Sequence, residues 1–174
     1  MSTVILSCTT LLKYVQQAQK TCNTDFPIIE LNRQYHIEPS KMKNHILQTL
    51  SSLSSDVDTI LVAMGFCGGS WQDVSCSKTL VLLKEYDKEI ADIVFNMYFE
   101  HYHHLDIIDN GLYDCYDLDY VKRAQADADR IHAELDFVPG SNILLEKLVS
   151  GKWDEQFFVS SPNTRITQGK FFDC

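Results

Sequence analysis

The stretch Asp58–Trp71, Asp-Thr-Ile-Leu-Val-Ala-Met-Gly-Phe-Cys-Gly-Gly-Ser-Trp, constrains the fold more than any other part of the chain. The apolar run Ile60 to Met64 reads as a strand covered on both faces, because a strand with one wet face alternates polar and apolar residues. Gly65, Gly68 and Gly69 then allow the backbone to turn where a side chain would clash, with Cys67 among them. A doubly covered strand ending in such a turn belongs in a parallel sheet with helices on both sides. In open sheets of this kind ligands bind just past the carboxyl ends of the strands.

The flanking sequence supplies the partners that such a strand needs. Val4–Ser7 is a short apolar run ending at Cys8, after which Thr9 or Thr10 is placed to cap a helix with the stripe Leu11, Val15, Ala18 and Cys22. Phe26–Leu31 reads as a second strand, and Pro39 with Ser40 opens a helix burying Met42, Ile46, Leu50 and Leu53. After Trp71, Thr79–Leu83 reads as a fourth strand, and Asp87 is placed to cap a helix carrying Ile90, Ile93, Val94, Met97 and Tyr98.

The second half is less regular. His101–Asn110 reads as a polar connection, with His101, His103 and His104 at a solvated helix end, where imidazolium suits the dipole. Gly111–Tyr116 reads as a short strand, and Asp117 caps a helix through Leu118, Val121, Ala124, Ala128 and Ile131. Glu134–Val138 is a further strand, and a short helix with Ile143, Leu144 and Leu148 is closed by Gly151. Trp153 is expected to cover the sheet edge, and Gln156–Ser160 is a last strand, stopped by Pro162 before a frayed end. Strands alternating with helices predict one α/β domain over 1–174. It has three layers and a mostly parallel sheet, Rossmann-like or flavodoxin-like.

A net charge of −9 argues against a nucleic-acid backbone or an anionic membrane as partner. No apolar run reaches the ~20 residues that span a bilayer. The start lacks a basic segment before its apolar one, so a cytoplasmic protein is expected. The six cysteines are scattered without a Cys-x-x-Cys pair, which is not the pattern of a secreted disulfide framework. Each is then a small core residue, a ligand or a nucleophile.

Four chemically capable residues follow the first four strands: Cys8, His36, Cys67 and Asp87. Parallel strands put their carboxyl ends along one edge, so these residues are candidates to converge. Two thiolates, an imidazole and a carboxylate are a donor set for zinc or iron. The plainer reading is that Cys8 is core, Cys67 fills a turn, His36 lies on a surface loop and Asp87 only caps a helix. Two other chemistries use the same turn. Gly65, Gly68, Gly69 and Ser70, with a helix beginning at Ser70, would cradle an anion, although no phosphate-loop or dinucleotide fingerprint is present. Alternatively, Cys67 at a helix start, with His36 nearby as base, would act as a covalent nucleophile.

On these residues the chain resembles the prokaryotic family known as domain of unknown function 1638. The resemblance rests on the early strand ending in Cys8 and on Leu31–Pro39, where Tyr35-His36 and Pro39 match a leucine-histidine pair followed by proline. It rests further on Gly65-Phe66-Cys67-Gly68, matching a glycine-leucine-cysteine-glycine turn, and on the ending Gly140–Gly151, Trp153-Asp154 and Phe157–Ser160. The resemblance implies a setting beside corrinoid proteins and corrinoid-dependent methyltransferases of one-carbon metabolism. The chain departs from the family after the fourth strand. Lys84-Glu85-Tyr86-Asp87-Lys88 stands where relatives have proline-arginine and then histidine-aspartate-cysteine, and Asn110-Gly111-Leu112 is a remnant of threonine-glycine-tryptophan.

The expectation is therefore an accessory protein that holds a metal, or a metal cofactor such as a corrinoid, through Cys8, His36, Cys67 and Asp87. Corrinoid or methyltransferase proteins would be its partners. The alternative is an enzyme that transfers a methyl or other small group, with Cys67 as nucleophile or as zinc-bound thiolate.

Overall fold

The computed structural model describes residues 2–84, 104–109 and 118–167. The residues group into two compact units, Met1–Asp87 with Ile143–Cys174, and Lys88–Asn142. The first unit holds a five-stranded sheet. In chain order its strands are β1 (Ser2–Cys8), β2 (Ile28–Leu31), β3 (Val57–Ala63), β4 (Thr79–Leu83) and β7 (Phe157–Ser160). Across the sheet the order is β2-β1-β3-β4-β7. The first four strands run parallel, and β7 is antiparallel to β4, pairing Leu80 with Ser160 and Leu83 with Phe157. The mostly parallel α/β sheet expected from the apolar runs is the one observed.

Strand side chains alternate between the two faces, and each face has its own core. Ile5, Leu61, Ala63 and Val81 pack with Val15 and Ala18 of α1 (Leu12–Cys22) and with Leu148 and Val149 of the helix Ile143–Ser150. Leu6, Cys8, Ile60, Val62, Leu80 and Leu82 pack on the other face with Met42, Ile46 and Leu50 of α2 (Pro39–Ser52). Ile60 through Met64 are all buried, as a strand covered on both faces requires. The stripes read from α1 and α2 are the buried ones, with Leu11, Cys22 and Leu53 at their margins.

Leu11, not Thr9 or Thr10, is the N-cap residue of α1. A 3-10 turn over Thr9–Leu11 precedes the helix, and neither start carries a side-chain cap. Thr9 Oγ1 instead donates to Glu30 Oε1 at 2.7 Å and to the Leu31 carbonyl at 3.2 Å, tying the exit of β1 to β2.

The second unit contains β5 (His104–Asp109), α3 (Leu118–Arg130) and β6 (Glu134–Pro139), with β5 parallel to β6 from His104↔Glu134 to Asp109↔Pro139. His104–Asp109 was expected to be a polar connection, with His104 at a helix end. It is a strand, because its backbone pairs along its length with a partner distant in sequence. His101 and His103, Gly111–Tyr116 and the helix expected from Asp87 to Tyr98 lie outside the described residues.

Helix α4 (Ile143–Ser150) ends as expected at Gly151, at φ 75°. Trp153 Nε1 donates to the Leu148 carbonyl at 2.8 Å, fastening the end of α4. Lys147 Nζ reaches Asp154 Oδ2 at 2.6 Å, which holds the Asp154 carboxyl below its ordinary pKa. The segment after Pro162 is not frayed as far as Thr167: Ile166 is fully buried against the α2-side core.

Candidate functional site

Because β1, β2 and β3 are parallel, the residues following them emerge at one edge of the sheet. The switch point lies at β1, whose neighbours β2 and β3 stand on opposite sides. Cys8 ends β1 and is 3 % exposed, and its Sγ donates to Thr10 Oγ1 at 3.5 Å. Cys67 comes after the carboxyl end of the adjacent β3, half-buried, and packs against the same α2-side core to which Cys8 belongs. The two thiols therefore share an edge and a face.

His36 lies in a 3-10 segment, Arg33–Ile37, directly past β2. That segment is pinned at its start, where the Asn32 side chain accepts from the Gln34 amide. Its middle is pinned where the Tyr35 ring stands 4.9 Å from the His45 ring on α2. Backbone topology thus brings His36 to the thiols' edge, whereas its side chain and all of Asp87 lie outside the described residues. Among the described residues, no group of three or more histidine, cysteine, aspartate or glutamate side chains could hold a metal ion. As donor chemistry the two thiols suit a soft ion such as zinc or iron. They are too few alone, since such sites take three or four protein ligands.

The turn itself differs from the expected helix start. Cys67–Gly69 form a 3-10 turn that ends at Ser70, and no helix begins there. The amides of Gly69 and Ser70 both donate to the Phe66 carbonyl, at 3.2 and 3.1 Å, and Ser70 Oγ donates to the same oxygen at 3.1 Å. Those donors close the turn and are not presented outward. A helix dipole of the kind that lowers a thiol pKa needs a longer helix than this.

Sequence reasoning missed the backbone of Cys67, which sits at φ 50°. That left-handed conformation is uncommon for a residue with a Cβ. The spacing Gly65-x-Cys67-x-Gly69 was the available signal, because glycines two before and two after a nucleophile mark the sharp turn after a strand in G-x-S-x-G elbows. Sequence reasoning also missed Thr10 beside Cys8, for which no local pattern gives notice. Cys76 also touches the α2-side core, and burial raises its thiol pKa.

A cavity of about 80 Å³ opens at the ends of β3 and β4, lined mainly from the α1 and α4 side, with Gly65 and Leu83 at its margin. Gly65 thus borders the cavity, while Cys67, two residues on, packs towards α2.

Residues 30–87 match the family described as Protein of unknown function (DUF1638), the family that the chain's motifs resemble. The matched span runs from the end of β2 through α2 and β3 to Asp87, and so includes His36 and Cys67. No curated protein and no solved structure matches the chain.

Proposed function

We propose that this protein is an accessory protein that binds a soft metal ion, zinc or iron, or a metal-bearing cofactor, at the carboxyl edge of its sheet. The observation that carries the reading is that Cys8 and Cys67 follow the adjacent parallel strands β1 and β3 and both lie against the α2-side core. As thiolates they would be the soft donors, and His36 would add a ring nitrogen. Asp87 would be either a further ligand or the acceptor that orients the imidazole. Bound there, the ion would supply Lewis acidity.

The family resemblance suggests one-carbon metabolism as the setting, with corrinoid proteins or corrinoid-dependent methyltransferases as partners. A cytoplasmic location agrees with Cys8, Cys22, Cys67 and Cys76 all being free thiols. No helix among the described residues is long and apolar enough to cross a membrane.

A second reading draws on the φ of 50° at Cys67 within Gly65-x-Cys67-x-Gly69. Backbone strain at a turn of this spacing suits an enzyme in which the Cys67 thiolate, free or zinc-bound, forms a bond to a methyl or other small group. That group's bond to its donor would break as the new bond forms, and the donor would leave with the bonding electron pair.

The test is anaerobic purification followed by metal analysis of the wild type, Cys8→Ala and Cys67→Ala. Stoichiometric zinc or iron in the wild type, lost in both variants, is the expected result. Cobalt substitution should give thiolate-to-metal absorption bands that weaken in each variant. A metal-free wild type with ordinary thiol reactivity overturns the first reading. Rapid alkylation confined to Cys67 in a metal-free protein favours the second.

A further inference from the structure

We infer that the cavity at the ends of β3 and β4 is a binding site for a small apolar group, such as a short alkyl chain. The site lies at the same carboxyl edge as the proposed metal site, mainly on the α1 and α4 side of the sheet, and its guest does not depend on the metal. Its inner wall is Ala63, Leu148 and Phe157 of the core shared by the sheet, α1 and α4, together with Val62 and Met64, which also belong to the α2-side core. Its rim is Leu11, Gly65, Leu83, Leu144 and Leu145, all of intermediate exposure, so the space communicates with solvent.

Three features distinguish this space from an ordinary packing gap. It lies at the carboxyl ends of two parallel strands, where sheets of this class receive ligands. Its lining side chains are all hydrophobic, so water there lacks hydrogen-bond partners and a non-polar guest displaces it favourably. Its rim is open, so a guest can enter without unfolding the core. Size sets the guest. A cavity of 150 Å³ accommodates benzene, so one of about 80 Å³ takes about three carbon atoms. The ligand class is accordingly a non-polar molecule of propane size, or a larger compound that inserts a terminal alkyl group of that length and leaves its polar part outside.

Xenon and propane are the probes. Titration followed by xenon NMR, and by methyl shifts of leucine-labelled protein under propane, should saturate in the wild type. Leu144→Phe or Leu11→Phe fills the rim and should weaken binding at least tenfold. Leu47→Phe, on the exposed face of α2, should leave it unchanged. Propane should bind at least tenfold more tightly than cyclohexane. A response that rises linearly without saturation in the wild type overturns the inference. So does equal binding by a rim-filled variant with native circular dichroism. If one rim variant misfolds the other decides, and if both do, saturation and the propane preference in the wild type decide. Metal content plays no part in the readout, so the metal reading and this one fail separately.

Discussion

Cys67 occupies a backbone position that glycine would fill at lower cost. A residue with a Cβ in the left-handed region pays about 1 kcal/mol or more over glycine. Glycines stand on its C-terminal side at Gly68 and Gly69, so the chain supplies them freely where the turn needs them, yet a thiol stands at φ 50°. Strain retained at a chemically capable residue is the pattern seen at functional sites. Cys67→Gly should therefore stabilise the protein by about 1 kcal/mol relative to Cys67→Ala, which keeps the Cβ but also lacks the thiol. Urea denaturation of the two variants checks this, and equal midpoints would show that the turn holds no such strain. Cys8, in contrast, was legible as a strand-end residue. Its burial follows from alternation with Val4 and Leu6.

Three of the four described helices, all but α2, end in a common way that shows what sequence does and does not reveal about elements. Asn23 after α1, His132 after α3 and Gly151 after α4 all have positive φ, at 53°, 59° and 75°. In each case the next amide reaches back five residues, from Thr24 to Gln19, Ala133 to Ala128 and Lys152 to Lys147. This is the Schellman closure, which satisfies carbonyls that the helix leaves unpaired. Only Gly151 announced itself, because glycine is the usual residue there and asparagine or histidine has other common uses. A Cβ at Gly151 would meet nothing within 4 Å, so Gly151→Ala tests backbone strain alone. It should cost about 1 kcal/mol in thermal or urea unfolding. A neutral result would mean that the last turn of α4 relaxes at no cost. The strands followed the same division. β3 was legible because burial on both faces leaves an uninterrupted apolar run. His104–Asp109 was not, because its histidine and aspartates read as a loop until the distant partner Glu134–Pro139 is known.

At the scale of the first unit, the segment after β7 closes the α2-side core. The Asp73 amide donates to the Ile166 carbonyl and the Ile166 amide to the Val74 carbonyl, each at 2.8 Å, while the Asn163 amide donates to the Cys76 carbonyl. These bonds lay residues 163–166 along residues 73–76, the stretch just after the Cys67 turn. Ile166 and Trp71 are both fully buried in the resulting core. Nothing local in the sequence foretold this, since a lone isoleucine between polar residues has no period to read, and its burial depends wholly on chain far away. The Trp71 indole N–H is buried without a hydrogen-bond partner, so packing rather than a polar contact holds the ring. Ile166→Ala should therefore cost about 2–4 kcal/mol, the range for emptying a fully buried aliphatic site. It should also admit water to Trp71 and shift its emission to longer wavelength. Trp153, about one third exposed, emits in parallel, so the measurement belongs in a Trp153→Phe background. A variant of unchanged stability and unshifted emission would show that residues 163–166 merely lie on the core. The expected loss would make them the clamp that fixes the loop leaving Cys67. On the metal-binding proposal, any metal the protein holds should then be lost from Ile166→Ala along with its stability, although Ile166 offers no ligand.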